Sequence, residues 1–120
     1  MKKYILISLL LSASSVSLAG TGLNCSNLDV IGQDTKALEA CVTQTNDELN
    51  ATYKELRATH KNKKDKLKAL KDMQNGWIKM RDAQCLFQGM NAAGGGGAAQ
   101  TGIRCEIKMT IKREEELSQL

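Results

Sequence analysis

The sequence predicts an all-α fold. Apolar residues recur at three- and four-residue spacing, helix-forming types dominate from residue 35 onward, and apolar alternation never holds long enough for a strand. Residues 24–34 carry Asn, Ser, Asp and Gly without periodicity and read as an irregular lead-in ending at Asp34, a suitable N-cap. Leu38, Val42, Thr45, Leu49, Tyr53 and Leu56 then mark one buried stripe, so the first helix is expected from about Thr35 to about His60. Leu67, Leu70, Met73 or Gln74, Trp77, Met80 or Arg81, and Gln84 or Cys85 repeat the pattern over about 64 to 90, with Asn62 as the break between the two helices. The run Gly94 to Gly97 stops the second helix, because four glycines lose more backbone entropy than their neighbours restore. Ile103, Ile107, Ile111, Glu114 and Leu117 define a third helix, about 100 to 118. Short connections make neighbouring helices antiparallel, giving a helical hairpin with a third helix packed on it.

The chain has 120 residues, of which 42% are hydrophobic and 25% charged, which suits one small domain. Lys2 and Lys3, the apolar stretch Tyr4 to Leu11 and the small-x-small signal Ser17-Leu18-Ala19 have the form of a signal peptide. Two units are therefore expected, a signal peptide over 1–19 and a single helical domain over 20–120. The apolar stretch is short of the ~20 residues that span a bilayer, and no later segment approaches that length. A periplasmic location is expected, with secretion as the second choice. Lipid anchoring would need a cysteine directly after the cleavage point, but Gly20 stands there, and Gly22-Leu23-Asn24 before Cys25 is a poor lipobox. Removing residues 1–19 lowers the formal charge from +4 to +2, since two lysines leave and no acid does.

Four cysteines in an exported chain point to disulfides. With a turn near residue 62, position n of the first helix lies level with about 125 − n of the second, because both helices rise equally. Cys41 then falls level with Cys85, Cys85 lies roughly opposite Cys105, and Cys25 precedes the first helix at the same end. Three pairings are open, and closure of the shorter loops favours Cys25–Cys41 with Cys85–Cys105. Two disulfides at ~2–4 kcal/mol each would supply much of a net stability of ~5–15 kcal/mol. A zinc site is the rival reading, weakened by the lack of any C-x-x-C spacing. No metal and no cofactor are expected.

The same levelling puts Asp47 and Asn50 beside Trp77 and Arg81, with Thr110 and Arg113 of the third helix in the same slab. The expectation is a structural polar layer that fixes helix register, ahead of a ligand subsite. No catalytic residue stands out. His60, the one histidine, sits among lysines with no partner in sight and reads as a solvated surface residue.

Asp47-Glu48-Leu49-Asn50-Ala51-Thr52-Tyr53-Lys54-Glu55-Leu56, then Gln74-x-x-Trp77-x-x-x-Arg81-Asp82-x-x-Cys85, then Cys105 with Thr110-x-x-Arg113 and Leu117, resemble the LprI family of exported bacterial proteins. The likeness runs through the chain from Cys25 onward. It implies a non-enzymatic helical protein whose partner is a lysozyme or other muramidase. The shared residues are those the hairpin turns inward or toward the cysteine end, so they describe the scaffold and do not name inhibitory residues.

Surface charge bears on partners. Lys54, Arg57, Lys61, Lys63, Lys64, Lys66, Lys68 and Lys71 crowd the first turn, against Glu55 and Asp65. Lys61, Lys63, Lys64, Lys66 and Lys68 suit a solvated tip or an anionic envelope surface. Nucleic acid is not expected, since no aromatic is interleaved for stacking. Typical lysozymes are basic and would be repelled by this tip. Partner contacts are therefore expected near the cysteine end, at Glu39 and Asp82 and at Gly94, Gly95, Gly96 and Gly97, with Asp29 and Asp34 close by. Glu114 to Glu116 are expected to pair with Lys71 and Lys79 or to stay solvated. An immunity protein against a cell-wall-degrading toxin is a further alternative.

Overall fold

The computed structural model describes residues 23–91 and 97–120. The expected signal peptide and Gly94, Gly95 and Gly96 lie outside the described residues. The elements are α1 (Leu28–Ile31), α2 (Thr35–Thr59), α3 (Lys64–Asn91) and α4 (Ala98–Ser118), with no strand among the described residues. The all-α fold and the three long helices follow the sequence periodicity closely. The lead-in is a correction, for it contains a turn of helix where an irregular segment was expected. Its stability comes from tertiary contacts that local sequence does not display. Leu28 is buried, the Gly32 N–H bonds the Leu28 carbonyl at 3.0 Å, and Gly32 turns the chain at φ 64°, which favours glycine. Arg104 of α4 then donates to the carbonyls of Leu28 at 3.0 Å and Gly32 at 2.8 Å, with Asp29 at 3.4 Å. An arginine from another helix thus shares the Leu28 carbonyl with the Gly32 N–H and takes up the carbonyl of the glycine that ends the helix.

Asp34 caps α2, its carboxylate accepting from the N–H groups of Lys36 at 3.0 Å and Ala37 at 3.2 Å. At the other end the His60 N–H is shared between the Leu56 and Arg57 carbonyls, and the Lys63 N–H closes onto His60 at 2.8 Å. No non-glycine residue has positive φ among the described residues. The turn around Asn62 therefore needs no left-handed cap.

α2 and α4 run parallel and α3 runs against both. α4 packs along α2 and along α3, whereas α2 and α3 scarcely touch. The third helix is thus the central one, and it joins the arms of the hairpin. Two apolar clusters result. Cys25, Leu28, Leu38, Cys41 and Ile107 form one at the disulfide end, and Leu49, Leu70 and Leu117 form the other toward the turn, flanked by Tyr53, Leu56 and Trp77. Between them lie the buried polar residues Thr45, Gln74, Arg81 and Thr110.

The disulfides are Cys25–Cys41 and Cys85–Cys105, which leaves no free thiolate for the zinc alternative. The first ties the lead-in to α2 and the second ties α3 to α4. At this junction the backbones come close: a Cβ on Gly89 would stand 3.1 Å from the Ala98 carbonyl oxygen, and one on Gly102 3.5 Å from that of Cys85. No helix among the described residues is long and apolar enough to cross a membrane.

Arg104→Ala should free α1 without unfolding the bundle. Hydrogen exchange is expected to rise at residues 28–34 and to stay unchanged in the middle of α2. Equal acceleration in both places would mean that Arg104 supports the whole fold.

Candidate partner-binding surface

The Arg81 side chain organises the interior. Only 8% of the residue is exposed, and its guanidinium meets both other long helices. Nη1 donates to Asn46 Oδ1 of α2 at 3.1 Å and to Thr110 Oγ1 of α4 at 3.3 Å. Nε donates to Asp82 at 3.0 Å, and Nη2 lies 2.9 Å from Asp82 and 3.6 Å from Glu106. Trp77 carries the guanidinium groups of Arg81 and Arg113 at 5.2 and 5.6 Å from its ring. Arg113 in turn donates to Gln74 at 3.1 Å and to Glu116 at 3.1 Å.

Asp47 and Asn50 are corrections, because both are exposed. At about 100° per residue, the buried stripe Leu38, Cys41, Thr45 and Leu49 puts Asp47 on the opposite side of α2 and Asn50 well outside the stripe. Asn46 lies on the flank of that stripe and takes the contact with Arg81. Level along a hairpin does not give phase around each helix, so Asn46 and Glu106 are not legible from it, and Gln74 competes with Met73 for one stripe position. Glu115 and Glu116 are exposed, in keeping with the solvated alternative, whereas the pairing with Lys71 and Lys79 is a correction. Glu114 accepts from Thr52 at 2.7 Å and Glu116 pairs with Arg113, so neither is held by Lys71 or Lys79. His60 is half-buried with Nδ1 enclosed and unpartnered, which corrects its reading as a solvated residue.

Each choice left open along α3 falls to the residue that reaches α4. Gln74, Arg81 and Cys85 are buried, while Met73 and Met80 are exposed. The helix therefore buries polar side chains and turns apolar ones outward. Met73, Met80 and Phe87 recur every seven residues, as do Gly76, Ala83 and Met90, and all six are exposed. Leu86, Phe87 and Met90 are 62%, 63% and 63% exposed. Such a contiguous apolar face is characteristic of an interaction surface.

Beside it, α3 and α4 enclose an open groove of about 540 Å³ lined by Asp82, Leu86, Gly89, Met90, Gly102 and Glu106, among others. The close backbone approach at Gly89 and Gly102 forms its floor, and the two carboxylates stand at one end. Arg81 offsets one of these two negative charges from behind, and Asp82 remains well exposed. Of the residues proposed from sequence for partner contact, Asp82 lines this groove. Glu39 is exposed on α2 and does not line it, Gly97 is exposed at the start of α4, and Gly94, Gly95 and Gly96 are not described. Among the described residues no group of His, Cys, Asp and Glu is arranged to hold a metal ion.

Arg81→Ala is expected to cost about 3 kcal/mol in denaturant unfolding, toward the low end for a broken buried pair because Asp82 and Glu106 keep contact with water. Arg81→Lys should recover little of it, lacking the planar fork that reaches Asn46, Thr110 and Asp82 together. Wild-type stability in the lysine variant would show that the layer needs only a charge.

The family model described as lysozyme inhibitor LprI matches residues 25–117. An uncharacterized protein of Rhizobium meliloti (strain 1021) is 35% identical over 99 residues, covering 73% of this chain. The chain spans 66% of that relative's length, just under two thirds. No solved structure matches.

Proposed function

The chain belongs to the LprI family, and from that premise we propose that it is an exported, non-enzymatic inhibitor of a muramidase. One observation carries the reading: the family match extends from Cys25 to Leu117, from the first disulfide cysteine to the last buried leucine of α4. The signal-peptide pattern of residues 1–19 and the two disulfides support export to an oxidising compartment, the periplasm. We assign partner contact to the groove and the adjoining part of the outer face of α3 at the disulfide end. Leu86, Phe87 and Met90 offer exposed apolar area whose removal from water favours association. Asp82 and Glu106 add negative potential, which suits a basic partner and speeds its encounter. Glu39 becomes the control position, since it lies outside the groove.

The purified, oxidised protein should inhibit one of the chicken-type, invertebrate-type and goose-type lysozymes stoichiometrically in a lytic assay. Leu86→Ser with Met90→Ser should weaken inhibition at least about tenfold, a loss on the scale of a contact hot spot, and Asp82→Asn should slow association. Glu39→Gln should leave inhibition unchanged. Circular dichroism would confirm that each variant is folded. Failure to inhibit any of the three types, with fold and disulfides intact, would overturn the reading, and full potency in the double variant would move the contact off α3.

A further inference from the structure

The opposite end of the bundle has a surface that the inhibitor reading does not use. Between residues 61 and 68, Lys61, Lys63, Lys64, Lys66 and Lys68 stand against one acid, Asp65, and all five lysines are exposed. Lys54, Arg57 and Lys71 extend the positive surface along α2 and α3. Only Lys68 of this group has an acidic partner among the described residues, Asp72 at 2.6 Å. That carboxylate holds the Lys68 ammonium above its ordinary range, first by the hydrogen bond and then by charge. Among the described residues no ion pair joins the rest of the group to an acid of α4, where Glu116 is paired with Arg113 and Glu114 accepts from Thr52.

The cluster also works against its own helix. Lys64 and Lys66 occupy the first turn of α3, where the helix end is positive and Asp65 alone supplies a stabilising acid. Mutual repulsion adds to that cost. Stability of the fold therefore does not account for the arrangement.

An apolar cleft opens within the same tip. Its volume is about 250 Å³, and Leu56, His60, Ala69, Leu70, Met73 and Leu120 line it with Lys66 at the lip. Met73 and Leu120 remain exposed. An apolar cleft lined in part by Lys66 and set in a lysine-rich tip matches a ligand that is anionic at its surface and apolar just beneath, which a soluble polyanion is not. We propose that the lysine tip docks the protein on an anionic phospholipid bilayer, with the ammonium groups on lipid phosphates and the cleft residues against the outermost acyl segments. The inhibitor face at the disulfide end then stays free, so this inference does not rest on the inhibitor reading.

Vesicle flotation tests it with the oxidised protein and two lipid compositions, phosphatidylglycerol mixed with phosphatidylcholine and phosphatidylcholine alone. Binding should favour the anionic vesicles at least about tenfold at low salt and fall away at high salt. The variant carrying Lys61→Gln, Lys63→Gln, Lys64→Gln and Lys66→Gln should lose about tenfold or more in affinity while keeping its helical circular dichroism. Met73→Ser with Leu120→Ser should lose a smaller share, and wild-type binding by that variant would overturn the part assigned to the cleft. Equal binding to both vesicle types, undiminished binding by the lysine variant, or binding to soluble polyphosphate without binding to vesicles would overturn the proposal.

Discussion

A buried arginine constrains this small bundle more than any other group. An isolated guanidinium cannot be left in an apolar interior, because the lost hydration must be replaced by hydrogen bonds and counter-charge. Arg81 obtains them from all three long helices: Asn46 on α2, Asp82 on its own helix, Thr110 and Glu106 on α4. Sliding any helix by a turn would strand the charge. The register of the bundle is thus set by one side chain, with Trp77 holding that guanidinium and the neighbouring Arg113 by its π-face. The apolar clusters on either side supply burial energy but are less selective about alignment, since leucine and isoleucine contacts tolerate a shift that directional hydrogen bonds do not.

Placing α4 between the hairpin arms follows from the same demand. Both Thr110 and Ile107 of α4 are fully buried, one facing the guanidinium and the other the disulfide-end cluster. With α4 central, α3 has a single neighbour along most of its length. It spends its inward face on Gln74, Trp77, Arg81 and Cys85, and its methionines, Leu86 and Phe87 are left outside. The apolar surface of α3 is therefore a consequence of giving much of its one packed face to a polar layer. The disulfide Cys85–Cys105 and the glycine contacts at Gly89 and Gly102 fix the groove beside that surface. A rigid, preformed contact face loses little entropy on association.

The two ends differ in chemistry. The disulfide end is apolar and carries carboxylates, and the turn between α2 and α3 is lysine-rich around a small cleft. Basic and acidic partners would be sorted to opposite ends by the sign of the field alone. The long helices keep those ends apart, so occupation of one leaves the other accessible.

The sequence alone determined the three long helices, the Asp34 cap, the gathering of cysteines at one end and the lysines at the other. These rest on local spacing and on the equal rise of antiparallel helices, both of which a linear chain displays. It also identified Trp77, Arg81, Thr110 and Arg113 as one level of the bundle. Tertiary structure decided which residues at that level face inward. Asp47 and Asn50 share the level but lie off the buried side of α2, whereas Asn46, one residue away, reaches Arg81. It decided as well between Met73 and Gln74 and between Met80 and Arg81, where hydrophobicity favours the residue that ends up outside. Adjacent helical positions point about 100° apart, and only the placement of α4 shows which of two such directions leads into the protein.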